Sequence, residues 1–224
     1  MYKESFLMAW ASLVANKLRS LLTMLGIIIG VAAVIALVSI GNGVKQDIEN
    51  SISSLGSNLL VVLPGAPRTP GARSSQGSMK SLKISDYEAI AKLEGVKAAS
   101  PMTNGSYVVI YQNKNWTTSV AGVNSNFQDV NNWTMTSGRF FSDKNVQNRE
   151  RVAVVGQTVV KNLFADEDPV GKEIRVKNIP FRVIGVLKSK GNGTMGNDQD
   201  DTVLIPYPTS MERVEGIDYL RMVY

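Results

Sequence analysis

Apolar and polar residues are spread very unevenly along this chain. From Leu21 to Ile40 the run LLTMLGIIIGVAAVIALVSI holds no charge and no proline, whereas the residues that follow are mostly polar. Twenty residues at about 1.5 Å each give a helix of roughly 30 Å, the hydrocarbon thickness of a bilayer. A core helix of a soluble protein would keep a polar stripe, and this run has none. A cleaved signal sequence has a shorter apolar region ending at small residues, and LVSIGNG is a poor match to that pattern. The pattern therefore predicts a transmembrane helix over residues 21–40.

Upstream, residues 1–20 predict an amphipathic cytoplasmic helix. Phe6, Leu7, Trp10, Leu13 and Val14 share one face, and Glu4, Ser12, Asn16 and Arg19 take the other. Such a helix lies along the inner leaflet or packs on another subunit. Lys17 and Arg19 sit just before the span, which holds the N-terminus in the cytoplasm by the positive-inside rule. Everything after Ile40 then lies outside. Within the span, Gly26 and Gly30 stand four apart with Ala33 on the same face. Small residues so placed let a second helix approach closely, although glycine is also simply commoner in membrane helices.

Downstream, Val44, Ile48, Ile52 and Leu55 recur every three or four residues, and Gly56 with Asn58 offers a helix stop. Residues 41–57 thus read as a stalk that continues the membrane helix. Its apolar seam would pack on the chain's own domain or on a partner chain. Residues 58–224 form the extracytoplasmic part. NLLVVL (Asn58 to Leu63) reads as a buried strand, and the Pro-, Gly- and Ser-rich stretch from Pro64 to Ser81 as a mobile loop. A capping box of Ser85 and Glu88 opens a helix that stops at Gly95. Strand patterns follow in SYVVIYQ, WTTSVAGV and RVAVVG, then a short helix in QTVVKNLFA and a hairpin in EIRVKNIPFRVIGVL. The fold class is α+β, with β in excess after Gly105.

Composition removes much chemistry. The chain has no cysteine and no histidine, which excludes disulfides, thiolate sites, histidine triads and His-ligated zinc. The net charge of +5 is too dilute to suggest nucleic acid as a partner. GNGTMG (Gly191 to Gly196) spells a dinucleotide fingerprint but is followed by acidic residues and a strand, not by a helix. No phosphate-cradling G-x-x-x-x-G-K-[ST] occurs. Asp198, Asp200 and Asp201 lack calcium-loop spacing and read as a solvated hairpin tip. No catalytic, cofactor-binding or metal-binding residue is expected in this chain.

The stretches LRSLLTMLGIIIG, GRFF and DPVGKEIRV…PFRVIGVL resemble the MacB-type ABC transporter permeases, and the likeness spans nearly the whole chain. The resemblance implies an inner-membrane permease that is not itself an enzyme. ATP and Mg would act on a partner ABC ATPase subunit, and the permease would work as a homodimer with a second copy. A periplasmic or extracellular adaptor would join it, with an outer-membrane channel in double-membrane bacteria. It implies a porter-like α+β part beginning over Asn58 to about Ser100, and a β-rich sabre-like part over roughly 105–201. Efflux of drugs, peptides or other amphiphiles is the expected function. FtsX-like signalling to a cell-wall hydrolase and lipoprotein release are the alternatives. Against four spans in the family there is one here, and the closing YLRMVY reads as a strand with no partner after it. By that likeness the chain would be truncated at its C-terminus.

Overall fold

The computed structural model describes residues 2–55, 58–65, 80–165, 167–193 and 197–224, grouped into two compact units, 1–50 and 51–224. In the first, helix α1 (Tyr2–Ala15) is followed by a long helix α2 (Lys17–Leu55) of 39 residues. The boundary falls earlier than the sequence pattern suggests, because the Ser20 N–H donates to the Asn16 carbonyl at 3.0 Å and so starts the second helix there. Asparagine is a favoured residue at such a start. The span and stalk patterns therefore belong to one helix, about 58 Å long at 1.5 Å per residue. Gly41 and Gly43 lie inside it without interrupting it.

The second unit is built on strands. These are β1 (Pro101–Tyr111), β2 (Lys114–Val123), β3 (Met135–Gly138), β4 (Val152–Val155), β5 (Glu173–Val176), β6 (Ile179–Leu187), β7 (Thr202–Pro206) and β8 (Met222–Val223). Short helices α3 (Ile84–Ala91), α4 (Phe127–Val130), α5 (Asp143–Gln147), α6 (Gln157–Leu163) and α7 (Tyr207–Thr209) connect them, and a π turn (Ser210–Glu215) follows α7. The pairings β1–β2, β2–β7, β7–β4, β4–β6, β6–β5 and β5–β1 form a ring, so six strands close into a barrel. Closure leaves no free edge around that ring. All six strands send side chains into one apolar cluster, among them Val109, Val120, Val155, Ile174, Phe181 and Val203; α6 adds Val159 and Leu163. This cluster is the barrel interior.

Alternate residues of the same strands face outward into a second cluster. Ala121, Val154 and Leu204 pack there with Phe127, Trp133 and Phe141. VAVV in β4 is buried at every position because both its faces are covered. The GRFF stretch is explained by this packing. Gly138 has φ +69°, and a Cβ there would stand 2.7 Å from the Gly185 Cα. The chain can therefore lie flat on β6 and deliver Phe141, which is 2% exposed. The β5–β6 hairpin turns through Lys177 and Asn178 at φ 51° and 67°, the left-handed pair that suits a two-residue turn.

A small three-stranded unit lies at one end. Val223 bridges Val62, and β8 also pairs with Pro101 and Met102 at the start of β1. Its core joins Leu82, Ala99, Met211, Leu220 and Val223, with Tyr87 and Ile90 of α3 against it. Two sequence expectations change here. Asn58 to Leu63 form no buried strand: they hold one bridge, at Val62, and Leu60 is 79% exposed. Helix α3 starts two residues early, with the Lys83 N–H donating to the Asp86 carboxylate at 2.8 Å, so the Ser85–Glu88 box is not formed. The closing YLRMVY pairs upstream in the chain, at Val62 and β1. The loop expected over Pro64 to Ser81 falls largely on 66–79, outside the described residues.

Candidate functional site

The apolar helix carries the first candidate surface. Over the Lys17–Gln46 stretch α2 is long and apolar enough to cross a membrane, and none of it is buried. Ile28 is 63% and Leu37 70% exposed. A side chain added at Gly26 or Gly30 would meet nothing within 4 Å, so the small-residue face with Ala33 is open. Thr23 donates to the Arg19 and Ser20 carbonyls at 3.0 Å each, which satisfies its hydroxyl within the helix. Lys17 and Arg19 lie in the first turn of α2. A groove of about 450 Å³ runs between the helices, lined by Trp10, Lys17, Ser20, Leu21, Met24, Leu25 and Ile28. Phe6, Leu7 and Trp10 of α1 are exposed; the side chains of Leu13 and Val14 are outside the described residues. Along the stalk, Val44 and Ile48 are 53% and 54% exposed. The side chains of Ile52 and Leu55, and all of Gly56, lie outside the described residues.

The acidic segment before β7 is not a solvated tip. Asp200 is 5% exposed, and its carboxylate accepts hydrogen bonds from the Ser189 hydroxyl, the Lys190 N–H at 2.8 Å and the Gly191 N–H at 3.1 Å. Asp201 accepts from the Trp116 indole at 2.8 Å, and Asp198 from the Thr158 hydroxyl at 2.6 Å. The Lys190 ammonium sits 4.4 Å over the Trp133 ring. Burial lowers its pKa, against the opposing pull of Asp200. These carboxylates serve as anchors for the loop, and among the described residues no group of acids could hold a metal ion. The described part of the glycine-rich run turns back on itself, with Asn192 bridged to Asp198, and feeds β7. No helix opens there, so it offers no pyrophosphate site.

A membrane-type helix joined to a barrel and a split three-stranded unit has clear counterparts. A profile of the MacB-like periplasmic core domain matches residues 20–223. The chain belongs to the MacB family. The macrolide export ATP-binding/permease protein MacB of Rhodospirillum rubrum is 45% identical over 221 residues, covering 98% of this chain and 33% of that protein. Its namesake in Bdellovibrio bacteriovorus is 43% identical over 213 residues, covering 95% and 33%. The chain thus spans about a third of the length of these curated relatives. The crystal structure of the periplasmic region of MacB from Actinobacillus actinomycetemcomitans superposes with a TM-score of 0.65 at 27% identity, over 77% of this chain and 75% of that one. The extracellular domain of the transporter YknZ from Gram-positive bacteria shares the fold, with a TM-score of 0.59 at 20% identity. In the MacB family the described chain brings together no catalytic constellation. What it presents is an apolar helix and a domain locked by buried polar anchors. The anchoring role of Asp200 was invisible to spacing rules because its donors, Ser189, Lys190 and Gly191, reach it only when the hairpin folds back.

Proposed function

We propose that this chain is part of the permease of an ABC transporter, coupling ATP hydrolysis by a separate cytoplasmic ATPase to movements outside the membrane. The observation that carries this reading is α2, one unbroken helix whose apolar stretch leads into a MacB-type core domain. Lys17 and Arg19 put its N-terminus in the cytoplasm. The Gly26, Gly30 and Ala33 face receives another membrane helix, either of the same permease or of its second copy. The split unit is porter-like and the barrel sabre-like. Macrolide export in the relatives' names makes amphiphilic drugs or peptides the substrate class, handed on from an adaptor and, in double-membrane bacteria, to an outer-membrane channel.

Rigid α2 is essential to this mechanism, since a hinge in it would absorb the stroke. Proline at Ile48 removes a backbone donor and clashes with the preceding turn, at a cost of ~3 kcal/mol. In the intact permease with its ATPase, Ile48→Pro should leave ATP hydrolysis near wild type while export is lost. Normal export by that variant would defeat the rigid-stalk reading. A wild-type complex that exports nothing yet activates a cell-wall hydrolase would replace it with FtsX-like signalling.

A further inference from the structure

Strand β1 belongs to two sheets. Its first residues, Pro101 and Met102, pair with β8 in the three-stranded unit, and from Thr103 onward it pairs with β2 in the barrel. At that crossing a chain of buried polar side chains meets. The Thr103 and Ser210 hydroxyls, 0% and 1% exposed, are 2.8 Å apart. Ser210 in turn donates to the Glu215 carboxylate at 3.1 Å. Its single proton is then committed, so Thr103 is the donor to Ser210. The Glu215 side chain is 2% exposed, and its second oxygen faces the Arg221 guanidinium at 4.0 Å. Arg221 also ties its own N–H to the Met102 carbonyl at 2.9 Å. Opposite Thr103, a Cβ on Gly122 would stand 2.5 Å from the Thr103 oxygen and 2.8 Å from that of Ser210, so the elements meet with no room to spare.

The winding of the π turn makes this chain possible. In an α-helix, residues five apart diverge by about 140° around the axis, given 3.6 residues per turn. The wider i→i+5 winding of a π turn returns them to nearly the same face. Ser210 and Glu215 are five apart, and only there do their side chains line up. The same turn sends Met211 into the core of the three-stranded unit and Val214 into the barrel interior. Gly216, at φ +68°, ends it.

We infer that the π turn, with the Thr103–Ser210–Glu215–Arg221 chain, is a locked joint that makes the three-stranded unit and the barrel move as one body. Buried polar chains of this kind add little net stability over apolar replacements of similar shape. Their fixed directions, by contrast, define one relative arrangement. The inference rests on the coupling role proposed above, but its first test does not. The chain has no native cysteine, so spin labels at Lys92→Cys, just after α3, and Lys114→Cys on the barrel report the two bodies cleanly. In the intact permease, with labelled copies diluted into unlabelled ones, the labelled but otherwise wild-type chain should give one narrow distance distribution. Ser210→Ala and Glu215→Leu should broaden it or add a second maximum while circular dichroism stays native. Glu215→Gln, which still accepts from Ser210, should restore the narrow form. Export per ATP should fall about fivefold in the two loosened variants, the scale on which residues along a coupling route act. Unchanged distributions in Ser210→Ala and Glu215→Leu would overturn the joint, as would broadened distributions with undiminished export. A wild type that exports nothing defeats the transport reading alone, and the distances still decide the joint.

Discussion

The same kinds of apolar side chain do opposite things in the two units. Ile28, Ile29 and Leu37 in α2 are 63%, 59% and 70% exposed, while Val109, Ile174 and Phe181 in the barrel are at 0%. A soluble protein rarely leaves so large an apolar surface uncovered. In α2 the exposure runs all round a helix long and apolar enough to cross a membrane, so its partners, lipid or another helix in the proposed permease, come from outside the chain. In the barrel the chain supplies its own partners, strand by strand. Membrane helix and barrel are therefore stabilised by different surroundings, and mutations should separate them.

The sharpest separation comes from removing one large apolar side chain in each. Phe181→Ala empties a site inside the closed barrel and should cost about 3–5 kcal/mol, as buried Phe→Ala changes do. Ile28→Ala empties nothing, because lipid or a flexible neighbour fills the space, and the unfolding midpoint of the domain should not move. Urea unfolding of the detergent-solubilised chain, followed by barrel tryptophan fluorescence, measures both. Equal losses would mean that α2 is packed into the domain core and that the contrast drawn here is false.

A smaller effect tests whether the domain is held by polar anchors as well as by its core. Asp200→Ala strands three donors, from Ser189, Lys190 and Gly191. Leaving buried donors unpaired costs about 1–3 kcal/mol. The loss should show in the urea midpoint and as faster amide exchange at Lys190 and Gly191. A domain as stable as wild type would return the segment to the solvated tip that its composition suggests.

How far the sequence reveals these features depends on how local their causes are. The apolar helix was legible because twenty consecutive uncharged residues state it by themselves, and the β5–β6 hairpin because alternation and a Lys-Asn turn lie side by side. The barrel was not, since closure needs β1 to find β5 as well as β2, and no local pattern encodes a second partner. The run from Asn58 to Leu63 looked buried because it is mostly apolar, yet its one bridge is from Val62 to Val223, far along the chain. Asp200 looked solvated because it sits among acids; its donors arrive only when the hairpin folds back. The stalk positions Val44 and Ile48 have the spacing of a seam, but spacing alone does not name what covers them.

The smallest effect expected is a pH dependence confined to the domain. Burial raises the pKa of Tyr87, Tyr107, Tyr207 and Tyr224 above the ordinary value of 10.0. In the unfolded chain these phenols ionise near pH 10, while in the folded domain they keep their protons to higher pH. The folded state then binds more protons than the unfolded state, and stability falls as pH rises above about 10. Lys190 works the other way. Its pKa is lowered from 10.5 by burial, so between that lowered pKa and 10.5 the unfolded chain holds the extra proton and stability rises through that range. Four groups oppose one, and the net slope above pH 10 is downward. Between Leu21 and Ile40 there is nothing to titrate, so insertion of the span is indifferent over the same range. Urea midpoints at pH 8, 9, 10 and 11 should show no decline until about pH 10 and then fall. Tyrosinate absorbance should appear later in the folded chain than in urea. A midpoint that climbs from pH 9 to pH 11 would show that Lys190 outweighs the tyrosines, and that the polar anchors, not the aromatic packing, set the domain's response to alkali.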